Sequence, residues 1–117
     1  MSDIHEIELE NRARIDEAVE NFLGPLLQIQ TLKRDAFEQL DAAVRLMVKQ
    51  LKGQQLLPRY LLHAVHSTAQ HCRNEAPYFK GETKTLEEMA ARLDYSLGLI
   101  LCGESHEDRT PGVPRII

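Results

Sequence analysis

The chain has no tryptophan, and aromatic residues make up only 5% of it. Any core must therefore be assembled from Leu, Ile, Val, Ala and Met, which pack well without ring stacking. Only two cysteines occur, Cys72 and Cys102. Two cannot form a disulfide framework, and both fall inside apolar helical patterns where reduced thiols are common, so a reducing cytoplasm is the expected setting. No apolar run approaches the ~20 residues a membrane span needs, and no membrane partner is expected. The first nine residues are acidic and lack both a basic start and an apolar stretch, so no secretory signal is expected. Strand-period segments, internal repeats and Gly/Ser-rich linkers are missing too, which leaves no sheet to place.

A length of 117 residues suits one domain with a modest core that needs neither disulfide nor metal, and no cofactor is expected. The net charge of -4 is unevenly spread: seven acidic and two basic side chains in residues 1–30, four and eight in 31–80, seven and four in 81–117. A basic middle between acidic ends reads as complementary surfaces of neighbouring helices or subunits. A nucleic-acid partner is disfavoured, because the sequence pI of about 5.7 lies well below that of DNA-binding modules.

Apolar residues recur at helical spacing in four segments. The first, residues 4–29, carries Ile4, Ile15, Val19, Phe22, Leu26 and Ile29 on one line and is interrupted by Gly24-Pro25, where the missing N–H and the ring predict a kink or restart. The second spans residues 31–52, with Phe37, Leu40, Val44, Met47, Val48 and Leu51 inward and Gly53 as its terminator. The third begins near Leu56 or Leu57 with Pro58 in its first turn and stops before Pro77. The fourth covers residues 86–102, introduced by a Thr85/Glu88 capping box and ended by Gly103. Short connections predict an all-α, single-domain, up-down antiparallel four-helix bundle over residues 1–103, followed by an irregular tail, 104–117, rich in Pro and Gly.

The fourth helix is apolar on two sides. Leu86, Met89, Ala90, Leu93, Leu97, Ile100 and Leu101 form an inward stripe. Across from it lie Ala91, Tyr95, Leu99 and Cys102, which need a cover; they are the expected interface, with Gly98 allowing close approach and Leu46 of helix two as a possible addition. The terminal Arg115-Ile116-Ile117 is expected to fold over a neighbouring groove for the same reason.

Catalytic signatures are weak. His63 and His66 sit three residues apart on the polar face of helix three and are candidate metal ligands. Yet His71 points elsewhere, Arg59 and Arg73 on the same face repel a cation, and further ligands such as His5 or His106 would have to come from other elements. Histidine phosphotransfer lacks the small residues that give a partner access to the imidazole. Both cysteines sit on apolar helix faces, where desolvation suppresses thiolate reactivity, no serine sits in a glycine-flanked elbow, and no Glu-x-x-His motif occurs in any helix. The expected function is non-catalytic protein–protein association, as a homodimer or with another protein. A ligand- or metal-responsive sensor using the helix-three histidines is the alternative.

Overall fold

A computed structural model describes residues 3–109. Four α-helices, α1 (Ile4–Gln28), α2 (Arg34–Leu51), α3 (Arg59–Glu75) and α4 (Thr83–Leu101), pack into a bundle with no strand among the described residues. Short 3-10 turns follow α3 at Ala76–Tyr78 and α4 at His106–Asp108.

The helices form two antiparallel hairpins, α1 with α2 and α3 with α4, stacked so that α1 also packs on α3 and α2 on α4. Antiparallel pairing in the first hairpin is fixed at both ends. Asn11 near the start of α1 donates to Gln50 near the end of α2 at 2.6 Å, and Phe22 meets Phe37 edge-to-face at 5.3 Å between centroids. The α2–α3 connection crosses the end of the bundle diagonally, so the lateral neighbours α2 and α4 run parallel. Arg92 of α4 reaches Glu38 and Asp41 of α2, and the two helix ends meet where Gly53 N donates to Gly103 O at 3.2 Å. Both glycines hold left-handed φ, 75° and 73°, the conformation that ends an α-helix and carries a penalty for any side chain.

Helix boundaries follow the expected punctuation with four exceptions. The first helix runs through Gly24-Pro25 without a restart. Pro25 falls in the last turn, and its carbonyl instead accepts from the N–H of both Ile29 and Thr31, so the chain leaves the helix through Gln30 at φ 49°. Helix two begins at Arg34 rather than Thr31, after this turn. Helix three begins at Arg59 rather than at Leu56 or Leu57, so Pro58, expected inside the first turn, is its extended N-cap residue. Helix four begins at Thr83, before the Thr85/Glu88 box; Thr83 Oγ1 donates back to Ala76 O at 2.8 Å, tying the helix start to the preceding 3-10 turn.

The core contains most of the aliphatic set read from sequence together with Phe22, Phe37 and Phe79. Ile29, placed on the inward line of helix one, is instead 68% exposed because it lies just past the helix end, and Ile4, Val19 and Leu97 pack only at the core's margin. Its few polar members are satisfied, as burial demands. Asn11, fully buried, donates to Ile7 O as well as to Gln50 and accepts from Arg14. Thr68 donates to Ala64 O one turn back. The uneven charge distribution closes on itself: Arg34–Glu82, Lys49–Glu107, Lys52–Asp108 and Arg73–Asp94 pair the basic middle with the acidic C-terminal third.

Candidate protein-association surface

Past Gly103 the backbone reverses. Residues 104–109 return along the seam between α2 and α4, so this stretch of the expected irregular tail is docked on the bundle. Glu104 N donates to Leu99 O at 2.9 Å, and His106 Nε2 lies 3.1 Å from Ser96 Oγ with its ring against Tyr95. Asp108 accepts from the N–H of Ser105 and from Lys52 Nζ at 2.8 and 2.7 Å, contacts that hold its carboxyl below the usual carboxylate range. His106 is pushed the other way from most ion-paired groups. Burial and the nearby Arg45 charge lower its pKa, outweighing the pull of Asp41, so the neutral imidazole is the form this seam prefers. The proposed fold of Arg115-Ile116-Ile117 over a groove lies outside the described residues.

This returning segment lies along the Tyr95 and Ser96 side of α4. Leu99, read from sequence as an outward interface residue, is 2% exposed and belongs to the core. Leu101, read as inward, is 72% exposed. The wheel treats both flanks of the last turn alike, but the chain folds back over only one of them. Of the other interface candidates, Ala91, Tyr95 and Cys102 are exposed, although Tyr95 is partly engaged by His106. Gly98 is open as well: a Cβ there would meet nothing within 4 Å. Leu46 is half-exposed on α2, beside Ala42 and Ala43 on one side and the Ser105–Glu107 turn on the other, with His106 of that turn between it and Tyr95.

Leu101 does not stand alone. With Leu97 it forms one wall of a groove whose other wall is Leu57 and Leu62 at the start of α3. The rim carries Arg59, His63 and His66. None of these three makes a hydrogen bond or ion pair among the described residues, and no carboxylate lines the groove. Helix periodicity explains the mixture, because Leu62 and His66 are i,i+4 neighbours on the flank of α3 nearest α4. The groove is bounded by two surface helices only, and it adjoins the strip of Gly98, Cys102 and Ala91.

The metal candidates are brought to a groove without being given a ligand set. No group of three or more His, Cys, Asp or Glu converges among the described residues, and His106, one possible extra ligand, is engaged by Ser96 on the other seam of α4. The two thiols differ sharply. Cys72 is buried, which pushes its thiol up to about 12, whereas Cys102 is exposed at the end of α4. Comparison of the chain with protein families, curated proteins and solved structures returns no match.

Sequence reasoning missed the seam formed by Tyr95, Ser96 and His106 and the clamp made by Arg92. The spacing Ser105-x-x-Asp108 was the available signal for the first, since a serine followed three residues later by an acid favours a closed helical turn. No local pattern signals the second, whose partners are more than 50 residues apart in the chain.

Proposed function

We propose that this protein acts without catalysis, by associating with another protein surface through the α3/α4 face. The observation that carries the reading is the exposed leucine groove: Leu101 stands 72% exposed beside Leu97, Leu57 and Leu62. A contiguous apolar surface rimmed by polar groups marks an interaction site in a water-soluble domain. Further support comes from the described residues' chemistry: the most desolvated thiol is held protonated and the carboxylates that meet cations are structural partners. No helix among the described residues is long and apolar enough to cross a membrane, and two unpaired cysteines suit a reducing cytoplasm.

A photo-crosslinking side chain placed at position 101 in the cell tests the reading, with position 27 on the exposed part of α1 as control. Site-specific adducts at 101, either with a second copy or with another protein, are the expected result. Equal labelling at both positions, or none at either, would overturn it. The second reading, a metal- or ligand-responsive sensor, draws on His63 and His66 lining the same groove; a melting temperature raised by zinc or nickel and restored by chelator is the outcome that would favour it.

A further inference from the structure

The identity of the occupant follows from the rim of the groove, and this step rests on the association reading above. We infer that the α3/α4 groove receives an amphipathic helix of another protein whose flanks are acidic. Its floor is four leucines, the complement of a helix presenting aliphatic side chains at i, i+3 or i+4, and i+7. Its rim is one-signed: Arg59 carries a permanent charge, and His63 and His66 each present an N–H donor, with no acceptor for any of the three among the described residues. Carboxylates flanking the incoming leucines would meet all three donors, whereas lysines there would face Arg59 unscreened. The same rim argues against a second copy docked symmetrically on the groove. A two-fold contact sets identical patches against each other, so a second copy would bring another Arg59, His63 and His66 to the groove and, among the described lining residues, no carboxylate to meet them. A small amphiphile is also a poorer fit, because ligand sites enclose most of their ligand, while this groove has walls on two sides and leaves Leu101 standing proud.

The test uses the full chain and two fluorescently labelled synthetic helices with identical leucine faces, one flanked by glutamate and one by lysine, measured by fluorescence anisotropy. The glutamate helix is expected to bind at least about tenfold more tightly at low salt, with the preference shrinking as salt screens the rim. Arg59→Glu should invert the preference, and Leu101→Asp should abolish binding of both helices while circular dichroism remains unchanged. Equal binding of the two helices, or better binding of the lysine one, overturns the inference and leaves the apolar docking face standing. Stoichiometric displacement of the glutamate helix by dodecanoate assigns the groove to an amphiphile instead. Concentration-dependent dimerisation that Leu101→Asp removes assigns it to a second copy. Failure of both helices alongside site-specific crosslinks at position 101 refutes the acidic-helix partner alone, and failure of both without crosslinks refutes the association reading as well.

Discussion

Leu99 and Leu101 are two residues apart near the end of α4, and truncating each to alanine should have very different consequences. Leu99 is 2% exposed within the core. Leu99→Ala removes its buried methyl-bearing carbons and leaves a cavity that the α2 and α4 backbones can only partly close, a change that costs about 3 kcal/mol within the usual range of roughly 2–5. Leu101, at 72% exposure, gives up little on truncation, about 0.5 kcal/mol or less. Helix propensity does not distinguish the two, since leucine and alanine are both strong formers. For a chain of this length a loss of 3 kcal/mol corresponds to a melting point lower by about 12 °C, at ~4 °C per kcal/mol. Urea unfolding followed by circular dichroism measures both losses, and an unchanged m-value would assign them to native-state packing. A second layer tests the cause of the burial. If residues 104–109 close the seam over Leu99, deleting 104–117 should expose that side chain, and Leu99→Ala in the shortened chain should then cost less by about 1 kcal/mol or more. Equal costs for the two single variants, or a Leu99→Ala cost unchanged by the deletion, would refute the covered-seam account.

Three further outcomes are expected. The folded state disfavours protonated His106, whereas the unfolded chain does not; stability is therefore unaffected by this group above its ordinary value of 6.5 and falls as the pH drops through that value. His106→Gln should flatten that acid-side decline in melting temperature, and an unaltered pH profile would count against the Ser96–His106 seam. Arg92→Ala should destabilise by about 1–2 kcal/mol, because Asp41, a buried residue, loses its charged donor; Asp41→Asn should recover part of that loss in the double variant, and strict additivity would mean the clamp contributes nothing. In the native protein Cys102 should react with a maleimide within minutes while Cys72, buried and held protonated, should react only on unfolding, a contrast readable by intact mass.

Much of the architecture was legible because it depends on local rules. The 3.6-residue recurrence of aliphatic positions located four helices, and Gly53 and Gly103 marked two of their ends because a left-handed residue is needed where a helix stops. Pro77 ended α3 for its own steric reason. Pro25 shows where such a rule weakens: a proline in the final turn removes one hydrogen bond from a helix already closing, so at the site of the expected kink or restart the helix continues to Gln28 and the chain then leaves through Gln30. The Thr85/Glu88 pattern was likewise a sound local signal that tertiary contacts overrode, since Thr83 finds acceptors in the preceding turn and begins the helix sooner.

The candidate site was only half legible. Periodicity established that α4 is apolar on more than one side and that Ala91, Tyr95, Gly98 and Cys102 share a face, because direction around a helix depends only on position in the chain. Which leucine meets water was settled elsewhere. The diagonal α2–α3 connection sets α2 parallel to α4, Gly103 meets Gly53, and the reversal that follows brings Glu104 N to Leu99 O and His106 onto Tyr95 and Ser96, on the side of α4 away from Leu101. Contacts between residues distant in sequence decide burial, so the leucine groove and its rim of Arg59, His63 and His66 emerged only once α3 and α4 were placed side by side.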